Sequence, residues 1–235
     1  MIAYCTSTQH ARQRRTATAF WSCVMTAAAM LLGEGASAFD WSGTDFSGAP
    51  CEIVQGQTSY GPFDYTNPEH FRDKLPIVTG AHFTRDVENL VRGKSGSIQE
   101  DIYYTLRSFP NHHRALHSLV RYQLNNESAR PKLQIAPECF LDRAIAFKPT
   151  DRNVYMIYGI YLHARGKLDD AEQKYKLAEA LSDPSTSAEL FYNLGLLYVE
   201  MGDYESARRY ARMAYEGKYP LPGLRNLLAR NGHPL

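Results

Sequence analysis

Two stretches of this 235-residue chain carry the same order of side chains at a fixed offset, and that duplication constrains the fold more than any other feature. In residues 151–182, Tyr155, Tyr158 and Leu162 fall on one helical row with Gly159 among them. Gly166 then marks a turn, and Ala171, Tyr175 and Ala178 follow at helical spacing. In residues 189–216, Phe191, Leu194, Gly195 and Tyr198 precede Gly202-Asp203, and Ala207, Ala211 and Ala214 complete the row. Gly159 to Gly195 is 36 residues (195 minus 159), and Ala171 to Ala207 is also 36 (207 minus 171). Both halves shift together, so one unit has been copied: a pair of helices in which small residues face large ones.

Prolines punctuate the same frame. Pro110, Pro149, Pro184 and Pro220 are 39, 35 and 36 residues apart, each just beyond an apolar helical run that it would terminate. Counting back from Pro149, Pro137 to Phe147 reads as the second helix of a further hairpin, with Leu141 and Ala144 inward and Pro137 tolerable in a first helical turn. Its partner begins near His113 and ends near Leu124; the loop from Asn125 to Lys132 is longer than the unit requires, which accounts for the wider first spacing. Ile98 to Phe109 reads as an unpaired second helix ahead of these hairpins. Leu224 to Arg230 reads as a short cap, because an array must cover its last apolar face.

The order of aromatic, small residue, glycine turn, alanine, aromatic, alanine and closing proline resembles the tetratricopeptide repeat. The resemblance implies an all-α fold, a short helical solenoid over residues 97–235. Its hairpins would lie near 113–148, 152–183 and 188–218, with a preceding helix and a capping helix at 222–231.

The start of the chain reads differently. Arg12, Arg14 and Arg15 precede an apolar run from Ala17 to Leu32, and Ala36-Ser37-Ala38 supplies a small-x-small cleavage pattern, so residues 1–38 are expected to be a signal peptide. An uncleaved anchor is the rival; the run is short for a full span, and the Ala-Ser-Ala site favours cleavage. Thr16 to Thr18 departs from what should follow Arg14-Arg15 in a twin-arginine signal. Cleavage after Ala38 would leave 197 residues (235 minus 38) with 23 basic and 24 acidic side chains, a charge of −1. Such a balance exerts no long-range pull on nucleic acid or anionic lipid. No nucleic-acid partner and no integral membrane segment are therefore expected after cleavage. Repeats behind an export signal point to the periplasm, with secretion as the alternative. Cys5 and Cys23 would leave with the signal, and the remaining Cys51 and Cys139 are expected to pair in an oxidising compartment. The other outcome is two free thiols, one of them buried.

Residues 39–96 are expected to be extended or irregular, with one short helix. The segment from Phe39 to Gly61 is rich in Gly, Ser, Thr and Asp, and the stretch from Tyr60 to Pro68 holds two prolines and three aromatics, which no helix interior accepts. Its aromatics are expected to pack on the neighbouring helices, with a ligand-contacting loop as the other reading. Leu75-Pro76-Ile77-Val78 reads as extended, and Thr84 as the cap of a helix that carries Val87, Leu90 and Val91 and stops at Gly93.

For chemistry, the strongest cluster is Asn111-His112-His113-Arg114-Ala115-Leu116-His117. His113 and His117 are four apart on a helix, spacing that can place two imidazoles on one metal, with His82 or Asp64 to complete a shell. A metal-dependent hydrolase using His112, His113 and His117 is the alternative this pattern raises, although no Glu follows His113 as a metalloprotease would require. There is no nucleophile-elbow glycine pattern and no phosphate-cradling loop, so no catalytic residue and no cofactor are assigned.

The tetratricopeptide resemblance implies a different site, a concave groove lined by the first helix of each hairpin. It places there Arg114, His117 and Arg121, then Asn153, Met156 and Ile160, then Glu189, Tyr192 and Asn193. Some members of that family clamp a C-terminal carboxylate with basic residues and asparagine. Asn193 matches one element of the clamp, and the basic partners are missing from the second and third hairpins. The implied function is that of a non-enzymatic adaptor for a protein or peptide segment, in an envelope machine such as a pilus, secretion or outer-membrane complex. A third possibility is that the segment from Tyr60 to Pro68 fills the groove, making a self-occluded structural module.

Overall fold

Gly166 and Gly202 adopt φ of +70° and +79°, a left-handed conformation open to glycine at little cost, and each ends a long helix and starts the chain back along it. The computed structural model describes residues 41–52, 60–125 and 132–235; the expected signal peptide lies outside them. The described residues fold all-α. Their helices are α1 (Pro68–Asp73), α2 (Leu75–His82), α3 (Arg85–Glu88), α4 (Ile98–Ser108), α5 (His113–Asn125) and α6 (Pro137–Phe147). These are followed by α7 (Arg152–Ala164), α8 (Leu168–Ala180), α9 (Ala188–Glu200), α10 (Tyr204–Glu216) and α11 (Gly223–Arg230). None of these helices is long and apolar enough to cross a membrane.

From α4 onward the helices follow the sequence reading closely. Side chains fix the starts. Ser97 and Glu100 form a reciprocal capping box on α4, Asp151 accepts from Asn153 N at the head of α7, and Asp203 accepts from Ser206 N at the head of α10. Helix α7 packs along α8, and α9 along α10. Between these pairs, α5 and α6 pack on α7, and α7 and α8 pack on α9. One core runs through them, from Val87 on α3 to Leu224 and Leu228 on α11. A second, smaller cluster joins Leu75, Val78 and Phe109 to Tyr60, Phe63, Tyr65 and Tyr104, so the aromatics of the proline-rich stretch pack on neighbouring helices.

The two repeat glycines show why the hairpins close tightly. A methyl group at Gly159 would sit 2.5 Å from two ring carbons of Tyr175, so the ring lies directly on the α7 backbone. A methyl at Gly195 would meet Leu224 instead, because position 211, 36 residues after Tyr175, holds alanine. In both hairpins a large side chain fills the notch, but in the last one it comes from α11.

Residues before α4 depart from expectation. Three helices stand where one was expected. Leu75–Val78, read as extended, forms the first turn of α2, because Pro76 sits in the opening turn where its missing N–H is unneeded. Helix α2 packs on α4, so α4 is not unpaired. Helix α3 stops at Glu88, short of Leu90 and Val91. Leu90 turns to φ +60° with its side chain buried, and Val91 is left 68% exposed.

Candidate functional site

The groove residues expected from sequence lie on α5, α7 and α9, which pack in succession, α5 on α7 and α7 on α9. On α5, Arg114 is exposed, its Nε donates to Glu88 Oε1 at 2.6 Å and its Nη2 bonds Glu88 Oε2. His117 is exposed and Arg121 half-buried. On α7, Met156 and Ile160 are half-buried, and the Asn153 amide lies 3.4 Å from His113 Nδ1. On α9, Glu189 is exposed, and Asn193 donates to the Glu189 carbonyl at 3.0 Å.

Ile160 and Asn193 meet across an open depression with His163, Tyr175 and Glu200. There His163 Nε2 contacts Glu200 Oε2 at 2.9 Å. Sequence reasoning missed both residues, yet the signal was present: His163 lies one turn beyond Ile160, and Glu200 seven residues beyond Asn193, on the same rows. Tyr192 requires correction as a groove contact. It is buried, its ring 4.5 Å from that of Tyr219 and its hydroxyl against Gly223, because the chain entering α11 crosses over it.

The histidines named as metal candidates do not converge. His112 is 1% exposed, boxed by the rings of Tyr65, Phe83 and Phe109, and its Nδ1 accepts from Ala115 N at 3.1 Å. Burial, reinforced by the neighbouring His113, pushes it down to about 3, so it is neutral at ordinary pH. His113 directs Nε2 at both Asp151 oxygens, at 2.8 and 2.9 Å, while His117 faces outward. His82 is engaged by Asp101 at 2.9 Å. Among the described residues no three His, Cys, Asp or Glu side chains are grouped to hold a metal ion.

Those residues form a buried polar junction instead. Asn111, fully buried, donates one amide N–H to Asp151 at 2.9 Å and the other to Asp64 at 2.8 Å, while its oxygen accepts from Tyr65 N. Burial would raise Asp64, but bonds from Lys148, Thr66 and Asn111 outweigh it and hold the carboxyl well below the usual carboxylate range. The junction ties the segment around Tyr65 to the heads of α5 and α7. Phe63 packs on Phe109, just after α4, and Tyr65 on His112 and His113, where α5 begins, so this segment sits against the α4–α5 connection.

A second attachment holds residues 41–52. The Cys51 and Cys139 sulfurs stand at bonding distance, 1.96 Å. Beside them the buried Glu138 accepts from Phe46 N at 3.1 Å and from the Tyr161 hydroxyl at 2.9 Å. Phe46 stacks on Tyr161 and lies under the Lys167 ammonium. Compared with family models, with curated proteins and with solved structures, the chain finds no match in any of the three.

Proposed function

We propose that this chain is an exported adaptor whose stacked hairpins, of tetratricopeptide type, present the α5, α7 and α9 face to a peptide or to a helix of a partner protein. The reading rests chiefly on the depression between α7 and α9, where apolar Ile160 and Tyr175 share the lining with polar His163, Asn193 and Glu200. An apolar floor with a few fixed polar groups suits an extended segment or one helical face, which buries a side chain and satisfies its backbone at the rim. The adaptor acts without chemistry of its own, in the periplasm or in secretion, within an envelope assembly such as a pilus, secretion or outer-membrane complex. A Cys51–Cys139 pair suits such an oxidising setting.

Selection of peptides from a displayed library on the full chain tests the reading. Peptides enriched on the native protein should lose binding to Ile160→Glu and keep it with Leu177→Glu, a change at an exposed leucine of α8. Equal binding to both variants would refute the groove.

A further inference from the structure

Charge is distributed unevenly along this nearly neutral chain. Residues 204–235 hold Arg208, Arg209, Arg212, Lys218, Arg225 and Arg230 against Glu205 and Glu216, a formal +4 (six minus two). The other residues therefore carry −3 (+1 minus 4). Tyr204, Arg208, Arg212 and Tyr215 follow one stripe of α10, at steps of four, four and three. Alongside them the chain returns: the Arg225 guanidinium lies 4.4 Å over the Tyr215 ring, Arg225 N donates to the Tyr215 hydroxyl, and His233 stacks on Tyr204 at 4.0 Å. At the Tyr204 and His233 end, Tyr204, Glu205, Arg208, Arg212 and His233 line a cleft, and Arg225 lies further along the same stripe, over Tyr215. None of Arg208, Arg212 and Arg225 makes an ion pair among the described residues. Arg208 Nε is buried there with no acceptor.

We propose that the α10–α11 seam is a docking site for a carboxylate-rich peptide segment of another protein, whose acidic side chains are received by Arg208, Arg212 and Arg225. A guanidinium offers a planar fork that matches a carboxylate, and two of them one turn apart on α10 reach successive acidic side chains. Arg225 is already held by Tyr215, so less conformational freedom is lost when it pairs. A cleft that includes Glu205 in its lining fits a narrow chain of separated single charges better than a flat, densely anionic lipid surface. The segments outside the described residues are poor in carboxylates: residues 1–40 carry two, Glu34 and Asp40, against three arginines, residues 53–59 contain none, and residues 126–131 offset Glu127 with Arg130.

The test is fluorescence anisotropy of a labelled peptide of alternating glutamate and alanine, titrated with the full chain. Binding should weaken about ten-fold or more between about 50 and about 500 mM salt, as screening of exposed charges requires. Arg208→Gln with Arg212→Gln should weaken it about ten-fold or more, and Arg225→Gln by a smaller factor. Arg72→Gln with Arg92→Gln removes the same net charge from the other end of the chain and should leave affinity within about two-fold. Absence of peptide binding at low salt, or equal losses in the two double variants, would overturn the proposal. It would equally fall if inorganic phosphate or phosphatidylglycerol vesicles bound with the same arginine dependence while the peptide did not. Self-association abolished by the Arg208, Arg212 double variant, without peptide binding, would assign the seam to a second copy and overturn it as well.

Discussion

Asp151 is the residue whose removal should reveal how far the array depends on its polar junction. It receives Asn111 Nδ2 at 2.9 Å, His113 Nε2 at 2.8 Å and Asn153 N at 3.2 Å. Loss of the cap on α7 alone costs about 1 kcal/mol. Asn111 is fully buried and has already committed its second N–H to Asp64, so the freed donor finds no replacement; such a group costs about 1–3 kcal/mol. His113, with 19% of its side chain exposed, recovers part of its bond from water and adds about 1 kcal/mol. Asp151→Ala should therefore lower unfolding free energy by about 3–5 kcal/mol, read from urea titrations followed by circular dichroism. The control is Asp203→Ala, a helix cap at an exposed site, which should cost only about 1 kcal/mol. A double-mutant cycle with Asn111→Ala should return a coupling of about 1–2 kcal/mol. If Asp151→Ala costs no more than Asp203→Ala, and the cycle is additive, the junction is not a cooperative unit.

Two further outcomes are expected. His112 is held neutral, pushed from an ordinary 6.5 to about 3, so the unfolded chain binds its proton first; the stability it contributes is complete above pH 6.5 and is lost as pH falls toward 3. Unfolding measured across that window should show a slope of up to about 1.4 kcal/mol per pH unit that His112→Asn, which keeps an acceptor for Ala115 N, flattens. Reduction of the Cys51–Cys139 pair, or Cys51→Ser, releases a closure across 88 residues and should lower stability by up to about 4–5 kcal/mol on a chain-entropy account, read as a shift in the urea midpoint.

The hairpins were legible because their determinants are local and periodic: Gly159 and Gly195 mark close approach, Gly166 and Gly202 mark turns, and the alanines mark the opposing face. Helix α2 was not, because Pro76 reads as a breaker until its place in the first turn is known. The burial of Tyr192 depends on Tyr219, 27 residues on (219 minus 192), and no periodicity within α9 announces that cover. The polar junction was illegible for the same reason. Asn111 finds its partners 40 and 47 residues away, and sequence shows only a histidine-rich stretch whose spacing equally fits a metal. Packing, not spacing, decided between them.

Leu224 closes the hairpin of α9 and α10 from outside it. In the earlier hairpin the space above Gly159 is filled from within by Tyr175, leaving that unit free to accept α9 and its successor. In the last hairpin, Ala211 leaves the corresponding space vacant and Leu224 plugs it. Any additional unit grafted after α10 would have to evict that leucine or bring its own plug, and a chain cut at residue 222 would end in an open notch. One alanine and one leucine thus decide how this notch is closed, and a matched exchange at those two positions is where extending the packing beyond α10 would have to begin.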